Sequence, residues 1–142
     1  MHRVVVDASV CLKWWFQDEP GSTKARSILK KIASGDVSLV VPHLWIYEVT
    51  NGIRSAVVRK RITEEMGRLF VDEAQVLGIH SIDVLEFVSY IFETALKLDV
   101  SAYDASYIVL AEKERIDFIT GDEKLYNKVV SAKPFVKYFA EI

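Results

Sequence analysis

Four carboxylates stand at widely separated points of this chain of 142 residues: Asp7, Glu48, Asp104 and Asp122. Asp7 ends the β-branched run of VVVDAS, Glu48 lies in IYEVTN, Asp104 opens AYDASYIVLAE, and Asp122 closes FITGD. Each has an ordinary structural use. Asp7 and Asp122 suit turns or helix caps, and Asp104 follows Ser101 at capping-box spacing. Glu48 suits a solvated helix face. Its neighbours Trp45, Ile46, Tyr47 and Val49 are large and apolar, however, and an acid so embedded needs a partner or a metal. Brought together, the four would raise one another's pKa unless a cation intervened. No cluster of Lys or Arg follows Asp7 or Asp104 to supply that charge. Oxygen-only ligands favour Mg²⁺ or Mn²⁺ over zinc, and such an ion with open positions suits phosphate chemistry.

Acids this far apart in sequence need a scaffold that gathers distant segments. Strand and helix signals alternate along the chain. RVVV reads as a first strand, its three valines suiting burial on both faces. SVCLKWWF follows as a short apolar helix and EPGS as a breaker. Ser22 is placed to cap a helix through Ala33, with Ala25, Ile28, Leu29 and Ile32 on one face. SLVVP is a second strand, and HLWIYEVTNGIRSAVVRKR predicts a long helix striped by Ile46, Val49, Ile53 and Val57. Gly52 inside that helix costs about 1 kcal/mol relative to Ala, which implies close packing or a chain passing nearby.

Thr63 opens a helix to about Val76, with Met66, Leu69, Phe70 and Glu73 on successive turns. IHSI is a short strand. Asp83 and Glu86 form a capping-box-like pair before VLEFVSYIFETALKL, whose stripe is Val84, Val88, Ile91 and Ala95. Ser101 opens the helix of AYDASYIVLAEKER, DFITGD is a strand and turn, EKLYNKVV a short helix, and KPFVKYFAEI a last edge strand with a terminal turn. The pattern predicts one α/β domain over residues 1–142: a three-layer α/β/α sandwich around a mainly parallel sheet. In such a sheet, strand C-termini and helix N-termini share one edge, so all four acids converge on one crevice.

Composition narrows the function classes. The formal net charge of −2 argues against coating nucleic acid by bulk charge, though not against nucleic acid as a substrate. Cys11 is alone, so no internal disulfide and no CxxC motif exists, which fits a reducing, cytoplasmic setting. His2, His43 and His80 are scattered, without the i,i+4 pair of a zinc protease. No apolar run approaches the ~20 residues of a membrane span, and the start MHR followed by a strand reads against a signal peptide.

On the residues VVVDAS, IYEVTN and AYDASYIVLAEKERIDFITGDEKLY, the chain resembles the PIN-domain nuclease family, most closely its compact VapC-type toxins of type II toxin–antitoxin pairs. The likeness spans nearly the whole chain. It implies a metal-dependent endoribonuclease using Mg²⁺ or Mn²⁺, with Asp7, Glu48, Asp104 and Asp122 as the catalytic, metal-binding quartet. It implies that Thr120, and with it Ser9, supports the site by hydrogen bonding. It implies RNA as substrate, a cognate antitoxin as partner, and a homodimer. The same quartet occurs in PIN domains that process RNA without being toxins, so that reading stays open, as does an inactive RNA-binding scaffold.

RNA would need positive charge beside the acids. Lys13, Arg54, Arg59, Lys60 and Arg61 are candidates for holding phosphates, against a plain reading of RSAVVRKR as a solvated helix end. Trp14, Trp15 and Phe16 suit core or partner contact better than base stacking, and Tyr103 beside Asp104 is ambiguous between the same uses. A phospho-receiver would want adjacent acids after the first strand, and a haloacid-type phosphotransferase would want Asp-x-Asp; here Ala8 and Ser9 stand there instead.

Overall fold

The computed structural model describes residues 2–142. Five parallel strands form one sheet in the order β3-β2-β1-β4-β5: β1 is His2–Val6, β2 Val37–Pro42, β3 His80–Ile82, β4 Asp117–Thr120 and β5 Val136–Tyr138. Seven helices connect them: α1 Ala8–Leu12, α2 Ser22–Ala33, α3 Leu44–Val58, α4 Glu64–Gln75, α5 Val88–Leu98, α6 Ala102–Glu114 and α7 Glu123–Val129. This is the predicted three-layer α/β/α sandwich. Strands β1, β2 and β3 step one way across the sheet, and β4 and β5 step the other way. Right-handed crossovers then put α1–α4 on one face and α5–α7 on the other. The direction reverses at the β1/β4 pair, where Val4, Val5 and Val6 lie beside Asp117, Phe118 and Ile119. Such a reversal opens a crevice at the strand C-termini.

Val4, Val5, Val6, Leu39, Val40, Val41 and Phe118 are almost wholly buried between the helical layers. These residues, β-branched or aromatic except for Leu39, form the strands because both sheet faces are covered. Gly52 meets the close neighbour its position implied: a Cβ there would lie 2.5 Å from Cδ1 of Leu12, so the glycine lets α1 settle on α3. Among the described residues, no helix is long and apolar enough to cross a membrane.

Several elements end differently from the sequence expectation. The first helix stops at Leu12, and Lys13–Trp15 continue as a turn. Trp14 is buried and donates its indole N–H to the Ala25 carbonyl, Phe16 is buried, and Trp15 is half-buried with its N–H on Glu73. These aromatics serve packing. Gly21, not Ser22, caps α2: it holds φ +81° against the Phe139 ring, and the Ser22 hydroxyl turns back to the Gln17 carbonyl. Helix α3 ends at Val58 because Lys60 turns left-handed, letting the Arg61 N–H reach the Ala56 carbonyl. Asp83 holds the Leu85 N–H, but a tight turn over Leu85–Phe87 intervenes before α5 begins. Of the expected stripe, Ile91 is buried with Val84 and Ala95 packed against its cluster, while Val88 is exposed and Thr94 is buried instead. In α4, Met66 and Leu69 are exposed, while Gly67 and Ala74 are buried.

Candidate active site

The best-defined group in the crevice is Asp7. It follows β1 directly and caps α1, accepting the Val10 N–H at 3.3 Å. Its Oδ1 also accepts the Ser9 hydroxyl, and its Oδ2 the Thr120 hydroxyl, both at 2.5 Å. Each hydroxyl is itself held: Ser9 Oγ accepts the Gly121 N–H at 3.1 Å, and Thr120 Oγ1 accepts the Asp122 N–H at 3.1 Å. One carboxylate thus ties the β1–α1 loop to the β4–α7 loop across the reversal point. Gly121 permits this closeness, since a Cβ there would lie 2.9 Å from Ser9 Oγ. Burial pushes the Asp7 carboxyl above its usual range, and its four hydrogen-bonding neighbours pull partway back.

Glu48 is half-buried near the start of α3. Its Oε1 accepts the phenol of Tyr107 at 2.6 Å. This is the partner that its apolar neighbourhood required. Burial raises its pKa, the Tyr107 bond lowers it, and the charges of Asp7 and Asp104 raise it again. Tyr107 was not singled out from the sequence. The signal available was a phenol inside the apolar run SYIVLA, since a buried Tyr hydroxyl generally finds a polar partner.

Asp104 lies in the first turn of α6, its N–H bonded to the Ser101 hydroxyl at 3.0 Å, as the capping-box spacing predicted. Burial raises its pKa first, and the charge of Asp122 raises it further. Asp122 caps α7 through the Leu125 N–H at 3.0 Å and lines a cavity of about 350 Å³ together with Asp104, Lys124 and Lys128. Helix capping and site membership are therefore not alternatives for these acids: Asp7, Asp104 and Asp122 sit at helix N-termini, where the dipole favours negative charge.

The electrostatic couplings link the acids in a chain: Asp7 and Asp104 both act on Glu48, and Asp122 acts on Asp104. Yet among the described residues no three His, Cys, Asp or Glu side chains form a group ready to hold a metal ion. Asp104 and Asp122 line one cavity, Asp7 and Glu48 are linked to them through their charges, and the four do not build a closed cage. Their chemistry still fits a hard divalent cation. Mg²⁺ typically keeps several waters and uses only one or two carboxylates together with substrate phosphates. Carboxylates with raised pKa values gain from such a charge.

The basic candidates separate in space. Lys13, Arg59 and Arg61 line a cavity together with Ser9 and Gly121, next to the Asp7 cluster. There Lys13 pairs with Glu19 at 3.3 Å, and Arg61 pairs with Glu19 at 3.3 Å and Asp18 at 3.5 Å while lying over the Phe16 ring. Arg54 lines a different groove, between α3 and α4. Lys60 is exposed at the left-handed turn. Tyr47 and Tyr103, each immediately before an acid, are exposed.

Comparison with known proteins gives a consistent picture. The model of the PIN domain family matches residues 4–130. The VapC ribonuclease Mb0985 of Mycobacterium bovis is 31% identical over 122 residues, covering 86% of this chain and 87% of that protein. Ribonuclease VapC1 of Mycobacterium tuberculosis is 30% identical over 129 residues, covering 88% and 90%. Among solved structures, PAE2754 from Pyrobaculum aerophilum superposes with a TM-score of 0.74 at 18% identity, covering 99% of this chain and 85% of that one. The sarcin-ricin loop cleaving toxin VapC20 of Mycobacterium tuberculosis gives 0.64 at 13% identity, covering 87% and 93%.

Proposed function

Since the chain belongs to the PIN domain family, we propose that it is a divalent-metal-dependent endoribonuclease and the toxin of a VapBC-type pair. The observation that carries this reading is the Asp7 carboxylate, held on both oxygens at the sheet reversal and coupled through Glu48 to Asp104 and Asp122. The relatives named as ribonucleases, at about 30% identity over most of both chains, support it.

Asp7, Glu48, Asp104 and Asp122 are the residues proposed to hold Mg²⁺ or Mn²⁺. Bound there, the ion would polarise the phosphodiester and neutralise charge building on its oxygens. Ser9 and Thr120 keep Asp7 from rotating. Glu48 has one oxygen on Tyr107, which leaves Oε2 to orient the attacking water and take its proton. Water adds across one ester bond, giving a phosphate monoester and a free hydroxyl. Lys13, Arg59 and Arg61 beside Ser9 would hold neighbouring phosphates. The reading also takes a cognate antitoxin and a second copy of the chain as partners. The exposed apolar residues Leu85, Val88, Phe92 and Leu96 suit a docked protein.

Incubating RNA with the purified protein tests this. Cleavage should require Mg²⁺ or Mn²⁺, stop with EDTA, and fail in Asp7→Asn; a variant as fast as wild type would remove Asp7 from the mechanism. Induced expression should arrest growth, and Asp7→Asn should not. Cleavage without arrest would favour RNA processing, and absence of divalent binding in calorimetry an inactive scaffold.

A further inference from the structure

Tyr107 joins the proposed machinery to the core. Its side chain is 1% exposed, and its ring stacks on Phe118 with centroids 5.6 Å apart and planes 11° apart. Phe118 lies in β4, two residues before Thr120, so the ring is braced by the strand that supplies a hydroxyl to Asp7. Tyr107 also lies three residues after Asp104 in α6, a spacing that puts neighbours on one helix face. From this rigid seat the phenol donates to Glu48 Oε1 at 2.6 Å, across 59 residues of sequence. Burial and the nearby carboxylates push the phenol's own pKa up, so it remains a donor. Glu48 by contrast is only half-buried on an exposed-edged helix, and a glutamate carries three rotatable bonds of freedom.

We propose that Tyr107 is a positioning residue: its hydroxyl fixes one oxygen of Glu48 and so aims the other into the acid crevice. The inference rests on the hydrolytic role proposed for Glu48. Tyr107→Phe removes the hydroxyl and keeps the stacked ring, so the test compares this variant, Glu48→Ala and the double variant with wild type. Loss of a hydrogen bond to a charged group predicts a kcat about tenfold lower or more. KM for RNA should stay within about twofold, as for an interaction that matters chiefly in the transition state. Mn²⁺ binding in calorimetry should weaken several-fold in Tyr107→Phe, and in the Glu48→Ala background the same change should alter neither kcat nor Mn²⁺ affinity. Wild-type kcat and Mn²⁺ affinity in Tyr107→Phe overturn the positioning role while leaving the nuclease reading standing. An undiminished loss in the Glu48→Ala background also overturns it, because the effect would then be structural. A wild-type protein that neither cleaves RNA nor binds Mn²⁺ removes the reading beneath it.

Discussion

Asp7 carries two opposed demands. Capping α1 and tying two loops together requires burial, and burial penalises its charge. Its folded pKa is raised, so between the ordinary carboxylate range and the raised value the folded chain binds more protons than the unfolded one. Without metal, the Asp7 contribution to stability therefore improves as pH falls from neutrality through the raised value, and levels off below the ordinary one. Asp7→Asn removes the buried charge. Thermal melts in EDTA should show a higher Tm for this variant and a flatter pH dependence, and added Mn²⁺ should raise the wild-type Tm more than the variant's. Its kcat should fall about a hundredfold or more, in line with losing a preorganised charged group. A variant that melts below wild type in EDTA at neutral pH would show that the hydrogen bonds outweigh the desolvation.

At the level of elements, the crevice depends on how closely loops and helix ends approach. Gly121→Ala would place a Cβ 2.9 Å from Ser9 Oγ and 3.2 Å from Val10 Cγ2. Overpacking of this kind typically costs about 1–3 kcal/mol, so urea denaturation should register the loss and nuclease assays a parallel fall. Arg115 shows the opposite opportunity. It turns left-handed at φ +56° to end α6, where the Ile116 N–H reaches the Ala111 carbonyl. Arg115→Gly should stabilise by about 0.5–1 kcal/mol in the same measurement, with activity unchanged, because glycine avoids the left-handed penalty. These helix ends also explain what the sequence concealed. The strands, the order of the helices and the single sheet edge were legible, since valine runs and small breakers mark them. The ends of α1 and α3 were not, because Lys13 and Lys60 carry no stop signal and tertiary contacts impose the turn. Of the stripe expected for α5, Val84, Ile91 and Ala95 pack inward and Val88 is exposed, where the helix begins after the tight turn at Leu85–Phe87. At the candidate site, the four acids stood out from type and spacing, while Ser9 and Thr120 were implied only by the family resemblance. Tyr107 was hidden, because its role depends on a contact between α3 and α6 that no local pattern encodes.

Across the whole molecule, negative net charge and an acidic crevice leave RNA attraction to a few cations. Lys13 and Arg61 are already paired with Glu19, so their hold on phosphate must compete with that carboxylate. Binding of RNA to Asp7→Asn should weaken with salt at a log–log slope near −2, about −0.7 for each of three phosphates. Replacing Arg59 with Ala should lessen that slope by about one contact, which fluorescence anisotropy across a salt series would measure; an unchanged slope would place the RNA elsewhere. The bond between Thr120 and Asp7 spans 113 residues of sequence. Its consequence concerns folding. Asp7 follows the first strand, whereas its anchor Thr120 and the acids Asp104 and Asp122 belong to α6, β4 and the loop after it. Contacts of such separation form late, after the intervening chain has been ordered. The acid cluster therefore assembles only once β4 has inserted beside β1, so on refolding from urea any nuclease activity should return with the slowest folding phase and not before it.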